Sequence, residues 1–311
     1  MRANHPEKPL AFWFRYSIFL PKTIPDSDKK NTIGELWAVV FNRETNRMTA
    51  VKEEFRIDEC NFSGSGLDVS IADRGRLLPG IAYGKISSNG DSISWDLKYT
   101  DGQAPLRLLP KYLYKGKFPT AKATVPNPMA VFTGTVEVNG ETYKIDNWVG
   151  SQNHNWGSRH IDEYAWGQVA GFDNEAEAFL ECATARVRLG PFQTPWMTTV
   201  VLRYDDREIV ISNLWRAFQA KAAYKSFNWR FDTRNKMLRI QGSIEAPLES
   251  FIGFNYYKPD GGSSTCLNSK IAKCQLLVTE PGKPDRVFKT RHRAAFEIFN
   301  TDRDHGVLVI A

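Results

Sequence analysis

The regular alternation of apolar and polar residues is the feature that most constrains the fold of this chain. Short alternating segments recur from one end to the other, and glycine, proline, asparagine or aspartate bounds most of them. A side-chain period of two is typical of a strand with one buried face, and turn residues between such strands favour antiparallel pairing. Examples of the predicted strands are Trp13–Leu20, Glu35–Asn42, Thr49–Phe55, Ser92–Thr100, Ala130–Val138, Tyr164–Phe172, Phe179–Leu189, Thr198–Tyr204, Phe227–Asp232, Leu238–Ile244 and Phe251–Tyr257.

The residues between these segments predict tight turns. Asn139-Gly140 separates two alternating segments, and because both residues tolerate positive φ the pair predicts a type I′ hairpin. Asn89-Gly90, Asp205-Asp206 and the stretch Thr233–Lys236 give further turn signals at the spacing of an up-and-down β-meander. The sequence therefore predicts an all-β protein built mainly from hairpins.

Two segments depart from this pattern. Leu214–Tyr224 has helical spacing and follows Asn213, a possible N-cap, so we predict one helix there. Phe118–Pro128 holds three prolines, which remove ladder donors, and it predicts an extended surface connector.

The length of the chain indicates two domains. Domains commonly contain about 100–150 residues, and this chain has 311. Aromatic-rich strand openings at Trp13 and Trp166 indicate that each half starts a similar sheet. We predict an N-terminal β domain over residues 1–150 and a C-terminal β domain over residues 151–311.

Composition excludes several classes of function. The formal net charge is +6, but basic residues are scattered among acids without a run of five, so we do not predict nucleic-acid binding. No stretch has signal-peptide character or the ~20 apolar residues of a membrane span, which predicts a cytoplasmic protein without an integral membrane segment. The four cysteines form no C-x-x-C pair and are predicted to be reduced. No phosphate-binding loop or activated-serine motif is present, so no cofactor is predicted.

A candidate site lies in residues 147–171, which combine three tryptophans and two histidines with many hydrogen-bonding side chains. Because predicted strands flank this segment, its polar groups are expected at a junction in the β framework. A histidine titrates near neutrality, and a carboxyl group in an apolar pocket can keep its proton at pH 7. The predicted catalytic residues are His154, Asp162, Glu163 and Glu181. The predicted substrate-binding residues are Trp148, Asn153, Trp156, Arg159, Tyr164 and Trp166.

Other uses of these residues stay open at the sequence level. The tryptophans can wall a pocket and stabilise a cation, or simply fill a core. His154 can tie a buried turn to the backbone, and Arg159 can pair with Asp162 or Glu163. No metal-binding spacing is present, so no metal is predicted. The Cys266–Lys270 stretch can place Lys270 in the pocket, but a strand-edge lysine at the surface is the favoured interpretation.

The motif Asn153-His-Asn-Trp-Gly157 followed by Tyr164-Ala-Trp-Gly-Gln-Val169 resembles the lipocalin-like family of carotenoid 1,2-hydratase, AttH-like proteins and tocopherol cyclase, to which lipocalin-like Diels–Alderases are related. Further likeness lies in Leu36–Phe41, Trp95-Asp96-Leu97 and Leu267–Lys270. The resemblance implies two tandem lipocalin-like (calycin) β-barrels or sandwiches and an apolar ligand. It also implies a catalytic role for His154 and Trp156. The hydratase relies on a Tyr and an Asp further downstream, whereas Ala178–Thr184 offers only Glu181.

The resulting hypothesis is a cofactor-free enzyme that hydrates, cyclises or isomerises C=C bonds of an isoprenoid or polyene held in an apolar barrel cavity. The alternatives are a carrier for a small hydrophobic molecule and a structural protein with an unused cavity. The sequence gives no oligomeric state, and fold resemblance alone cannot separate these functions.

Overall fold

A computed structural model describes residues 1–22, 32–189, 191–225, 227–299 and 305–310. Its first half contains strands β1 Arg2–Asn4, β2 Leu10–Phe19, β3 Ile33–Asn42, β4 Arg47–Arg56, β5 Cys60–Phe62, β6 Val69–Ile71, β7 Gly75–Leu78, β8 Ile81–Ser88, β9 Asp91–Thr100, β10 Leu106–Arg107, β11 Ala121–Val138 and β12 Glu141–Gly157. Its second half contains β13 Glu163–Ala170, β14 Phe179–Arg186, β15 Arg188–Leu189, β16 Phe192–Gln193, β17 Met197–Tyr204, β18 Arg207–Ile211, β19 Lys221–Lys225, β20 Asn228–Arg234, β21 Arg239–Glu245, β22 Ile252–Tyr257, β23 Ser263–Thr279 and β24 Arg286–Phe299. Helical structure comprises α1 Leu214–Gln219 and the 3₁₀ turns Ile57–Glu59, Lys111–Tyr114 and Leu248–Ser250.

The strands form two large antiparallel sheets, and β15 and β16 pair only with each other. The first has the order β4-β3-β2-β1-β12-β11-β9-β8-β7-β6-β5, with β10 paired to β11. The second has the order β18-β17-β14-β13-β24-β23-β21-β20-β19, with β22 paired to β23. Strand β12 ends at Gly157 and β13 starts at Glu163, while the division into domains 1–150 and 151–311 stays a prediction. The predicted all-β fold of two barrel-like sheets is confirmed.

Each sheet curls around its own hydrophobic cluster. Phe12, Phe14, Trp95 and Phe132 are buried in the first cluster, and Trp229, Phe231, Phe288 and Phe296 are buried in the second. These residues come from alternate positions of their strands, which is the pattern that the sequence showed. No helix in the described ranges is long and apolar enough to cross a bilayer.

The predicted hairpin turns are confirmed by their backbone angles. Asn139 and Gly140 have φ of 52° and 86°, and Asn89 and Gly90 have φ of 55° and 85°. Asp205 and Asp206 also take positive φ, 48° and 57°. Positive φ at both central residues is the requirement of a type I′ turn, whose twist matches that of the flanking strands.

Two local predictions were wrong in part. The helix starts as expected, with Asn213 Oδ1 accepting a hydrogen bond from Trp215 N, but it ends at Gln219. Lys221–Lys225 instead forms β19, because pairing with β20 outweighs its helical spacing. The predicted surface connector becomes strand from Ala121 onward, and register shifts around Pro126 and Pro128 absorb the missing donors.

The outer faces of the two sheets pack on each other, and we call this contact the seam. Two apolar clusters hold it together. One joins Trp37 and Phe41 of β3 to Phe254 and Phe299 of the second sheet, and the other joins residues around Leu106 to residues around Phe179. The polar residues described next lie between the two sheets at this seam.

Candidate functional site

Strand β13 presents polar and aromatic side chains to the seam. Ala165 and Val169 point into the second hydrophobic cluster, so Tyr164, Trp166 and Gln168 point the opposite way. Gln168 pairs with Glu181 of β14, and Trp166 pairs with Glu297 of β24. Side-chain alternation along β13 therefore places Tyr164, Trp166 and Gln168 next to one another at the seam.

Gln168 links the two sheets through hydrogen bonds. Its Oε1 accepts from Arg2 Nε at 2.7 Å and from Ser151 Oγ at 2.6 Å, both in the first sheet. Its Nε2 donates to Asn153 Oδ1 at 3.2 Å and to Glu181 Oε2 at 2.8 Å. The side chain of Gln168 is fully buried, so these bonds are needed to satisfy its polar atoms.

Glu181 is a buried carboxyl group in this network. Its Oε1 accepts from Trp166 Nε1 at 2.8 Å, and only 2% of the residue is exposed. Burial raises the pKa of Glu181 to about 7, although the two hydrogen bonds and the charge of Arg2 act in the opposite direction. A carboxyl group of this kind is divided between its acid and carboxylate forms near neutral pH, as a general acid requires.

Lys270 and Glu297 form a buried ion pair beside Glu181. Lys270 Nζ lies 2.6 Å from Glu297 Oε1 and donates to Asn268 Oδ1 at 2.9 Å. It also lies 5.3 Å from the ring centroids of both Trp13 and Trp166. Burial lowers the pKa of Lys270 although Glu297 opposes this. Two indole faces thus surround a cation in a site nearly closed to water.

A second group of polar residues lies at one end of the seam. Tyr164 Oη is 3.5 Å from Cys266 Sγ, and the Tyr164 ring stacks on Phe299. Tyr256 packs nearby, and burial raises the pKa of both tyrosines well above the ordinary value. The guanidinium of Arg15 lies 4.7 Å from the Tyr256 ring centroid.

The structure brings together three of the residues that the sequence predicted. Glu181, Trp166 and Asn153 belong to one hydrogen-bonded network, and Tyr164 adjoins it on β13. Trp148 is different, because it lies in the first hydrophobic cluster against Phe12.

His154 and Trp156 lie away from this network. They share a face of β12 with Trp148, opposite to Ser151 and Asn153. Both are exposed, and their rings stack with centroids 5.0 Å apart. Burial of part of the ring lowers the pKa of His154, which favours the neutral imidazole.

The remaining predicted residues, Arg159, Asp162 and Glu163, form partly exposed ion pairs. Arg159 Nη2 donates to Asp162 Oδ1 at 2.8 Å, and Glu163 receives two bonds from Arg186 Nη2 at 2.7 and 2.6 Å. The pair with Asp162 is one of the alternative uses that the sequence left open for Arg159. The roles assigned to His154, Asp162 and Glu163 stay predictions.

Sequence reasoning missed Arg2, Gln168 and Glu297, and it favoured a surface position for Lys270 over a position in the pocket. The favoured position was wrong, since Lys270 is 1% exposed. The available signal was charge inside an apolar strand: Glu297 stands in Ala294-Ala-Phe-Glu-Ile-Phe299 and Lys270 precedes Ile-Ala. Both strands pack on the outer face as well as the inner one, so their polar residues do not mark solvent.

Comparison by sequence finds uncharacterised proteins. No family model matches the chain. Proteins from two strains of Mycobacterium tuberculosis, CDC 1551 / Oshkosh and ATCC 25618 / H37Rv, are each 24% identical over 202 residues. The match covers 63% of this chain and 59% of each relative, so it spans about three fifths of the relatives' length.

Comparison by structure finds the same architecture in two solved proteins. Kievitone hydratase from Nectria haematococca is similar with a TM-score of 0.55 and 12% identity, over 94% of this chain and 84% of that one. A protein assigned as AttH from Nitrosomonas europaea has the same TM-score and identity, over 97% and 90%. At such identity the likeness shows the fold, which is that of lipocalin-like β-barrels.

Proposed function

We propose that the protein is a cofactor-free enzyme that hydrates, cyclises or isomerises a C=C bond of an isoprenoid or polyene. The observation that carries the proposal is Glu181, a carboxyl group with a pKa of about 7 buried beside the indole of Trp166. The fold is compatible with it, since one of the similar structures is named a hydratase. Fold likeness alone assigns no activity, so the argument rests on the site.

The substrate would lie in the seam rather than inside a barrel. The barrel interiors hold the two large hydrophobic clusters, whereas Trp13, Arg15, Tyr164 and Trp166 are only half-buried and form the accessible rim of the network. A ligand that displaced the rim side chains would reach Glu181 between apolar walls. Exclusion of water there would keep the carboxyl group protonated.

In this mechanism Glu181 protonates one alkene carbon, and the π electrons form the new C–H bond. The adjacent carbon becomes cationic, and the faces of Trp13 and Trp166 stabilise it. In hydration, water adds to the cation and its surplus proton returns to the Glu181 carboxylate. In cyclisation a second π bond attacks the cation, and the new cation then loses a neighbouring proton to the Glu181 carboxylate. In isomerisation a proton next to the first cation leaves to Glu181 directly.

The test is incubation of the protein with prenylated phenols and linear polyenes in ²H₂O, followed by mass spectrometry of the products. We expect deuterium at the protonated carbon. Glu181→Gln keeps the shape of the side chain and removes the acid, so turnover should fall about 10²–10⁴-fold. Glu280→Gln is the matched control, since Glu280 pairs with Arg207 and Lys283 outside the seam.

Two results would contradict the proposal. One is unchanged turnover in Glu181→Gln. The other is tight binding of these compounds by the wild type without any chemical change, which would make the protein a carrier.

A further inference from the structure

Arg15 is a cation at the seam that lies against two aromatic rings. It lies on the outer face of β2, directly opposite Trp37 of β3, and its guanidinium carbon is 5.0 Å from the Trp37 ring centroid and 4.7 Å from that of Tyr256. The residue is half-buried. Two aromatic rings therefore hold a planar cation at the seam, an arrangement that fixes the plane of the fork.

This guanidinium lacks an acceptor among the described residues. With the described residues it forms no ion pair within 4.0 Å and no hydrogen bond, although its five N–H groups belong to a fork that stays charged at physiological pH. The carboxylates of Glu35 and Glu297 raise the pKa of Arg15, but each is bonded to another group. Glu35 binds Lys52 Nζ at 3.0 Å and Ser17 Oγ at 3.0 Å, and Glu297 binds Lys270.

A buried donor beside Arg15 is unsatisfied. The indole Nε1–H of Trp37 is buried and has no hydrogen-bond partner within the described part of the chain. Native proteins seldom leave a buried donor without an acceptor. A negatively charged oxygen ligand would satisfy the guanidinium fork in bidentate fashion.

We propose that Arg15 is an anion-binding residue that holds the carboxylate of an amphiphilic, unsaturated substrate, whose hydrocarbon chain runs along the seam toward Glu181. The direction of the chain rests on the proposed function. Trp13 follows Arg15 on the same face of β2, and Tyr164, Trp166 and Gln168 follow one another on β13. Four residues of strand, from the level of Tyr164 to that of Gln168 and Glu181, span about 13 Å. The inference thus names a long-chain unsaturated acid as the substrate class.

The experiment compares two fluorescent polyenes that differ only in charge, cis-parinaric acid and its methyl ester, by titration at neutral pH. We expect the wild type to bind the acid about tenfold or more tightly than the ester, because charge-assisted bonds to the fork are available only to the carboxylate. Arg15→Met should bind acid and ester equally. Arg15→Lys keeps the charge without the fork and should keep only part of the preference, which provides a test if the methionine variant does not fold.

Arg207→Met is the matched control. Arg207 also lies over a tyrosine ring, 5.4 Å from Tyr204, but Glu280 pairs with its guanidinium. This variant should retain the wild-type preference. Equal binding of the two probes by the wild type, binding of neither, or an undiminished preference in Arg15→Met would overturn the inference.

The same titration separates this inference from the proposed function. Glu181→Gln should still prefer the acid, because Arg15 is intact. If the protein selects the acid through Arg15 but converts no alkene, the anion site is supported and the proposed enzymatic function is contradicted. If the protein shows Glu181-dependent turnover without selecting the acid, the proposed activity is supported and the anion site is contradicted.

Discussion

Glu181 makes stability depend on pH in a direction opposite to that of most carboxylates. Its pKa is raised from 4.5 to about 7 in the folded protein, so between these values the folded state binds more protons than the unfolded state. Its contribution to stability is therefore fully present below pH 4.5 and is lost as the pH rises through 7. The difference corresponds to about 3 kcal/mol.

We expect Glu181→Gln to gain stability relative to the wild type as the pH rises from 5 to 8. Urea unfolding at several pH values measures this difference. Glu280→Gln provides the contrast, since hydrogen bonds from Arg207 and Lys283 lower the pKa of Glu280 to about 2 and its contribution changes only under acid conditions. A wild-type-minus-Gln difference that stays flat over pH 5–8 would mean that Glu181 is not buried as an acid.

Breaking the Lys270–Glu297 ion pair should destabilise the protein, whereas replacing both residues together should cost little stability. Lys270→Met leaves the Glu297 carboxylate, which is 15% exposed, without its cation, and such losses cost about 3–5 kcal/mol. Lys270→Met/Glu297→Gln should recover most of this. The control is Lys273→Met, because Lys273 forms its 3.0 Å pair with Glu245 at the surface and should contribute less than about 1 kcal/mol. Equal losses in the two lysine variants, measured by urea unfolding, would argue against the assigned burial.

At the residue scale the sequence predicted Glu181, Trp166 and Asn153 as site residues but gave no basis for joining them to Arg2 or Lys270. Arg2 lies 166 residues from Gln168 in the chain, and only the packing of the two sheets brings them together. Lys270 lies 104 residues from Trp166, and strand pairing within the second sheet brings these two together. His154 shows the opposite limit. Its motif is specific, yet strand alternation places it on the other face of β12 from Asn153.

Among the elements, hairpins were predictable because their signals are local. Asn-Gly pairs and alternating side chains act over a few residues, so turns and most strands agree with expectation. Strand β19 and the first part of β11 were not predictable, since the pairing of Lys221–Lys225 and the bulges near Pro126 depend on partner strands. Strands β23 and β24 are harder to predict because they are buried on both faces at the seam, so their apolar and polar residues do not alternate clearly.

Packing between β8 and β9 gives a prediction at this scale. Gly84 lies opposite Trp95, and a Cβ on Gly84 would overlap the Trp95 indole. The backbone of Gly84 does not require glycine, so any loss in Gly84→Ala reports on the ring alone. We expect a loss of about 1–3 kcal/mol in urea unfolding.

Gly64→Ala is the matched control for Gly84→Ala. Gly64 has no atoms within 4 Å of the added Cβ, so its substitution should be neutral or slightly stabilising. If both variants unfold at the same urea concentration, the Trp95 ring does not cover Gly84 in solution.

For the whole molecule, the seam makes the two sheets depend on each other. Arg2 belongs to the first sheet and is 1% exposed, yet it donates to Gln168 Oε1 at 2.7 Å and to the Gln168 carbonyl at 3.2 Å in the second. Two apolar clusters on either side of this contact would face water if the sheets separated. We therefore expect both sheets to unfold in one cooperative transition.

Arg2→Met tests whether the first sheet tunes the chemistry of the second. The positive charge of Arg2 holds down the pKa of Glu181, so its removal should move that pKa above the wild-type value of about 7. Trp166 reports the ionisation, because its Nε1 donates to Glu181 Oε1, and a pH titration of tryptophan fluorescence would give the midpoint. Arg207→Met should leave the midpoint in place. If the midpoint does not rise in folded Arg2→Met, the charge of Arg2 does not affect the pKa of Glu181. The two sheets would then be packed together without electrostatic coupling, and the second sheet alone would set the acid strength of Glu181.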